Sequence, residues 1–159
     1  MNDAERLVRA VDGWVAEWSW APGLSPDVVA GAFDMEFEPG RIRVAGHDRL
    51  GAMLRLPDRP EAVHFMWDVD RELWRVDIPR PTLRPSAAEA LAALGEPTTS
   101  LGARNGPHAG SDQQVHLDRG VTIFQDLKRG TTHVWLFKPT DLDTYVTGFA
   151  ATQNVRRTR

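Results

Sequence analysis

The chain has 159 residues, a formal net charge of −3 at pH 7 and no cysteine. This length fits a single domain with a substantial core, the lack of cysteine excludes disulfides, cysteine-based zinc sites and thiol nucleophiles, and the acidic balance argues against nucleic-acid binding, which needs a clustered positive surface. The charged, periodic first residues and the absence of any long apolar run predict a soluble, cytoplasmic protein with no membrane segment.

A helix is predicted at the start of the chain, from Asp3 to Trp18. Leu7, Val11 and Trp14 fall on one face together with Trp18, because they recur at the spacing of a helical turn. We expect this apolar face to pack against a large apolar partner.

The next segment combines helix and strand signals. Ser25 followed by Pro26 is typical of a helix start, and the helix is predicted to continue through Phe33. Alternating apolar residues on both sides of Pro39-Gly40 predict a hairpin at that turn, and the segment 50–56 predicts a further strand.

Two stretches of the chain match one another without a gap. VHFMWDVDRELWRVDIPRPT begins at Val63 and VTIFQDLKRGTTHVWLFKPT at Val121, an offset of 58 positions (121 − 63). Each copy predicts a β-hairpin, and in the first copy His64 lies opposite Asp77. A match of this length is typical of a repeated supersecondary unit, and chance similarity of two unrelated hairpins is the alternative.

Two more helices have clear boundaries. Ser86 caps the third helix, which Gly95 ends, and Thr140 or Asp141 caps the fourth. The glycine-rich stretch 102–112 between them predicts a loop, either functional or disordered.

Together these elements predict an α+β fold in a single domain covering residues 1–159. It comprises an N-terminal helix (1–20), one repeat at about 25–82, a second at about 86–140, and a C-terminal helix and tail (141–159). We expect two tandem helix-plus-antiparallel-hairpin repeats that form one sheet, with helices packed on a face.

One strand is apolar on both sides. In the second hairpin Trp135 alternates with Val134, so it projects from the other sheet face. This face is either covered by a helix or exposed as an aromatic and arginine-rich interface. On the second interpretation the candidate binding residues are Trp135, His133, Phe137, Trp67, Trp74 and Arg75.

No sequence motif fixes a reaction or a metal site. The five histidines lack metal-binding spacing, so no metal ligand is predicted. If the chain is an enzyme, His64, Asp77 and His133 are the candidate acid and base groups, because His64 and Asp77 face each other in the predicted register. A structural hydrogen bond is the alternative for that pair.

Three segments carry a resemblance to known proteins. Ser86 to Pro97 ends in Ala-Leu-Gly-Glu-Pro, a Pro-Thr-x-Leu-x-x-Tyr pattern closes at Tyr145, and Trp18-Ser-Trp20 precedes a proline-containing helix start. In these features the chain resembles small proteins of high-GC bacteria, some of them similar to immunity proteins encoded beside polymorphic toxins. The duplicated plan also resembles tandem-repeat protein inhibitors of β-lactamases.

We therefore expect a protein-binding inhibitor or immunity-type protein that occludes the surface of a toxin or enzyme target, without catalysis and without a cofactor. The alternative is a small metal-free and cofactor-free enzyme, of cyclase or isomerase type, that binds a small molecule in a pocket on the concave sheet face. An accessory chaperone for a secreted partner is a third hypothesis. No nucleic acid or membrane partner is expected.

Overall fold

The structure, a computed structural model, describes residues 1–103, 111–149 and 155–157. The helices are α1 (Asp3–Val11), α2 (Pro26–Ala32), α3 (Ala87–Leu94) and α4 (Leu142–Phe149), with a short 3₁₀ helix at Val15–Glu17. The strands are β1 (Gly40–Val44), β2 (His47–Leu54), β3 (Val63–Trp67), β4 (Leu73–Pro79), β5 (Thr99–Ala103), β6 (Asp112–His116), β7 (Val121–Asp126), β8 (Gly130–Phe137) and β9 (Val155–Arg157). Of the loop predicted at 102–112, residues 104–110 lie outside the described residues.

All of these strands join in one antiparallel sheet, so the predicted α+β class is confirmed. Their order is β1-β2-β3-β4-β8-β7-β6-β5-β9. Each half is a four-stranded meander in which neighbours in the chain pair directly, and the two meanders meet where β4 pairs with β8. The two matching hairpins, β3–β4 and β7–β8, therefore occupy the centre of the sheet.

The two central hairpins have the same register. Phe65 lies opposite Val76 in the first, and Ile123 lies opposite Val134, 58 positions later, in the second. Both ladders are also interrupted at corresponding places, after Met66 in the first and after Phe124 in the second. The predicted pairing of these hairpins is therefore confirmed up to the interruption. Beyond it the prediction that Trp67 lies opposite Trp74 is wrong, because the register shift places Trp67 opposite Leu73.

The N-terminal helix is shorter than predicted, because it ends at Val11 rather than near Trp18. Gly13 follows with φ of 115°, a conformation that other residues rarely adopt. A side chain at Gly13 would also approach to 2.0 Å from the carbonyl oxygen of Thr82. The chain therefore turns at Gly13, and Trp18 reaches the core from the end of the 3₁₀ helix.

The hairpin predicted at Pro39-Gly40 is wrong. Residues 34–39 form no strand, and the tight turn lies at Ala45 and Gly46, both with positive φ, between β1 and β2. Positive φ at both central positions matches the twist of a two-residue hairpin, whereas Pro-Gly favours a turn that splays the strands. Phe37 instead stacks on Trp67 in the core, with ring centroids 5.8 Å apart.

The predicted caps of α2, α3 and α4 are confirmed. Ser25, Ser86 and Asp141 each accept a hydrogen bond from the backbone N–H three residues further on. This contact satisfies one of the free donors of each first turn. The three helix starts are therefore determined locally.

The helices cover both faces of the sheet, which corrects the expectation that they pack on one face. The first three helices contribute Leu7, Val29 and Leu94 to a core with Phe65 of β3. The fourth helix contributes to a separate core on the opposite face, with Phe124 of β7. We call this opposite side the α4 face.

Candidate functional site

The α4 face carries nearly all of the residues that the sequence singles out. Alternation along β4 and β8 places Arg75, Asp77, His133 and Trp135 on this face. Trp67 is the exception, because it lies in the core of the other face and donates from Nε1 to the backbone oxygen of residue 24 at 2.9 Å.

The aromatic part of the α4 face is covered by α4. Tyr145 and Phe149 pack on Phe137, with ring centroids 5.4 and 5.2 Å apart, and on Trp135, with centroids 6.2 and 6.0 Å apart. Only 2% of Trp135 and none of Phe137 is exposed. The interpretation of these residues as an exposed interface is therefore wrong, because helix α4 shields them from solvent.

A buried polar network holds α4 in place. The Tyr145 hydroxyl donates to Gln113 Oε1 at 3.1 Å and lies 2.8 Å from Thr122 Oγ1. All three side chains are buried, and burial raises the pKa of Tyr145, so its hydroxyl remains protonated. We call the surface under α4, formed by Thr122, Trp135, Phe137, Arg75 and Trp74, the α4 seat.

Arg75 is a buried cation within the α4 seat. Its guanidinium carbon lies 4.2 Å from the ring centroid of Trp135, 5.0 Å from that of Trp74 and 5.7 Å from that of Phe149. It donates to Met66 Sδ at 3.6 Å, and no described residue accepts a hydrogen bond from its Nε or Nη1. Burial lowers the pKa of Arg75. Arg75 therefore stabilises the aromatic cluster through cation–π contacts and is not available at the surface.

The three acid and base candidates come together beside this cluster. Asp77 lies directly opposite His64, and His133 lies opposite Pro79, two residues further along β4. They line a cavity of about 240 Å³, which we call the cleft. The residues of the cleft are Met53, Glu61, Ala62, His64, Asp77, Pro79 and His133. A neighbouring cavity of about 420 Å³ shares Glu61 and His133 with it.

The ionisable side chains of the cleft differ in their electrostatic environments. Burial lowers the pKa of His64, an effect that Asp77 opposes and Arg75 reinforces, so His64 is neutral at pH 7. Asp77 lies directly opposite it, and the Oδ1 of Asp77 is buried without a hydrogen-bond partner among the described residues. Glu61 is paired with the exposed Arg80 at 3.2 Å.

The cleft and the α4 seat occupy corresponding positions in the two halves of the sheet. In the β4–β8 ladder Asp77 lies opposite Trp135, and the two residues are 58 positions apart (135 − 77), which is also the offset between the two matching stretches. Asp77 of the first half and Trp135 of the second half are therefore counterparts of one another. The same shift relates cleft residues to α4 seat residues. The corresponding pairs, with the cleft residue first, are His64 and Thr122, Asp77 and Trp135, Pro79 and Phe137, and His133 and Arg75.

No protein-family model, curated protein or solved structure matches this chain. In the described part of the chain, no group of three or more histidine, aspartate or glutamate side chains is placed to hold a metal ion. Within the same residues, no helix combines the length and apolar character needed to cross a bilayer.

Two features of this site were not predicted from the sequence. Glu61 and Met53 line the cleft, although they belong to the connection before β3 and to β2. The anchoring of Tyr145 by Gln113 was also missed, because β6 was not predicted. The available signal was that Tyr145 is the only tyrosine of the chain and lies on the apolar face of the fourth helix.

Proposed function

We propose that the chain is a protein-binding inhibitor or immunity-type protein that acts by occluding a partner's surface, without catalysis of its own. We also propose that it arose by tandem duplication of a helix-plus-meander unit. The common register of the two central hairpins, with the interruption at the same position in both, supports the duplication.

The observation that carries the binding proposal is the relation between the cleft and the α4 seat. Helix α4 contacts four residues of the α4 seat, namely Thr122, Trp135, Phe137 and Arg75. The residues that occupy the four corresponding positions in the other half line the cleft. In one half the chain supplies its own helix to this surface. In the other half the surface remains a cleft on central strands, which suits an element from a partner protein.

The size of the cleft favours a partner side chain over a substrate. Small-molecule sites generally enclose roughly 300 Å³ or more, whereas the cleft measures about 240 Å³. A space of this size accommodates one large side chain, which is how anchor residues of protein interfaces are bound.

The enzyme alternative is favoured by one observation, the meeting of His64, Asp77 and His133 in a single cavity. These groups could transfer a proton to or from a small substrate that also extends into the neighbouring cavity. The larger groove between α1 and α2, about 840 Å³, contains none of the three. We therefore rank a small metal-free enzyme second.

The binding proposal is tested by filling the cleft. The chain is expressed with an affinity tag in its native host, and the variant Ala62→Trp is compared with Ala88→Trp, which places the same side chain on the exposed surface of α3. We expect a stoichiometric partner to co-purify with the wild type and with Ala88→Trp, and to be lost from Ala62→Trp. Recovery of the wild-type chain alone, or equal retention by both variants, contradicts the proposal.

A further inference from the structure

The cleft contains a carboxylate oxygen that lacks a donor. Asp77, on a central strand, has its Oδ1 buried, and no described residue donates a hydrogen bond to this oxygen. A buried carboxylate oxygen without a donor is costly, and a charged donor compensates that cost best. Of the two carboxylates that line the cleft, Glu61 is paired with Arg80 on the outer side, which leaves Asp77 as the inner acceptor.

The imidazole of His64 does not compete with an incoming cation. Because burial lowers its pKa, His64 carries no charge at neutral pH and has a ring nitrogen that can accept a hydrogen bond. Its ring is confined by Gly51, where an added Cβ would lie 3.0 Å from Nε2. Glu61 and Asp77 are the acidic side chains among the residues that line the cleft, and none of these lining residues is an arginine or a lysine. The buried cation that acts on Asp77, Arg75, belongs to the α4 seat.

Apolar groups form the entrance to these acceptors. Met53 is 62% exposed, and Ala62 and Pro79 line the same cavity. The flexible thioether of a methionine adapts to a hydrocarbon chain, and long basic side chains bury their methylene stems along such surfaces while the charged end seeks an acceptor. An apolar entrance above a carboxylate is therefore complementary to arginine or lysine.

We propose that the cleft receives a cationic side chain, arginine or lysine, from the partner protein, and that Asp77 is its acceptor. This inference rests on the proposed function and adds the chemistry of the anchor residue. The two surfaces differ at one pair of corresponding positions. The α4 seat has Trp135, which receives the aromatic rings of Tyr145 and Phe149. The cleft has Asp77 at the corresponding position, and a carboxyl group there selects for a cationic side chain. The net charge of −3 also favours a basic partner.

The first test uses a minimal probe. N-acetyl-arginine amide is titrated into the ¹⁵N-labelled chain and compared with N-acetyl-citrulline amide, which has nearly the same shape and no charge. We expect arginine-specific shifts at the amides of Asp77 and His64, with a dissociation constant on the order of millimolar. Equal shifts with citrulline, or no arginine-specific shift at these positions, overturn the inference.

The second test removes the charge from the acceptor. Asp77→Asn keeps the shape of the side chain, and Asp70→Asn makes the same change in the exposed β3–β4 turn. We expect Asp77→Asn to weaken binding of the arginine probe and of the partner by roughly tenfold or more, and Asp70→Asn to leave both unchanged. The ¹⁵N spectrum establishes that each variant is folded.

The two proposals fail in different ways. If Ala62→Trp releases the partner while Asp77→Asn retains it with full affinity, the cleft is the docking site and the cationic anchor is wrong. If the partner binds equally to wild type and to Ala62→Trp, docking at the cleft is wrong as well. Should Asp77→Asn lose its fold, the comparison of arginine with citrulline on the wild-type chain decides the inference alone.

Discussion

Removing the hydroxyl of Tyr145 tests whether α4 covers the sheet as described. Tyr145→Phe keeps the aromatic packing against Phe137 and deletes only the group that links α4 to β6 and β7. Gln113 Oε1 then loses its hydrogen bond, and Thr122 loses its partner, in a region with no solvent exposure. The change therefore isolates the buried network from the aromatic cluster.

The expected loss follows from these two contacts. Leaving a buried polar group unsatisfied costs about 1 to 3 kcal/mol, and the side-chain amide nitrogen of Gln113 already has no hydrogen-bond partner among the described residues. We expect Tyr145→Phe to lower the free energy of unfolding by about 2 to 3 kcal/mol. For a domain of this size the melting temperature should fall by roughly 5 to 10 °C.

Urea unfolding followed by tryptophan fluorescence measures this loss, and Thr147→Ala provides the control. Thr147 lies on the exposed side of α4, where its hydroxyl donates to a backbone oxygen within the helix. We expect Thr147→Ala to change the free energy of unfolding by less than about 0.5 kcal/mol. In the double variant Tyr145→Phe/Thr122→Val, the loss should be about 1 kcal/mol smaller than the sum of the single losses, because both remove one contact.

A loss for Tyr145→Phe no larger than that for Thr147→Ala would refute this reasoning. It would mean that the hydroxyl is hydrated in solution and that α4 does not seal this face. The aromatic residues beneath it would then be available to a partner.

Two further predictions concern the backbone and the cleft. Gly120→Ala should cost about 3 kcal/mol or more in unfolding free energy, because its Cβ would lie 2.1 Å from the carbonyl oxygen of Phe137 at φ of 67°. The control Gly130→Ala, at φ of 73° in open space, should cost about 1 kcal/mol. Equal losses in urea titrations would contradict the close approach of Phe137 to Gly120. The folded-state pKa of His64 lies below its ordinary value of 6.5, so unfolded chains bind its proton more readily and stability should fall as the pH drops below that value. His64→Gln should reduce the difference in unfolding free energy between about pH 7.5 and about pH 5. The control His47→Gln, at an exposed position, should preserve that difference. Identical slopes of unfolding free energy against pH for the two variants would rule out a buried His64.

The sequence by itself determined the parts of the fold that depend on short-range patterns. Ser25, Ser86 and Asp141 specify helix starts because each cap bonds to an amide only three residues away. The register of the central hairpins follows from alternating apolar residues, since a slip by one residue would exchange the two faces of a strand. The opposition of His64 and Asp77 was predicted for this reason.

Strands without such a pattern were not predictable. Thr99–Ala103 and Asp112–His116 contain few large apolar residues. Asp112–His116 forms a strand along the edge that β7 provides, and Thr99–Ala103 pairs in turn with Asp112–His116. Context of this kind overrides weak local preference. The anchoring of Tyr145 by Gln113 of β6 was missed for the same reason.

Only the tertiary structure decided which aromatic residues are accessible. The alternation of Trp135 with its neighbours placed it on the second face, but burial depends on where α4, some ten residues later in the chain, packs. The position of a helix over a sheet is set by contacts with several strands at once, none of which is local in sequence. Tertiary packing therefore covered one of two corresponding surfaces with α4 and left the other, around Asp77, as a cleft.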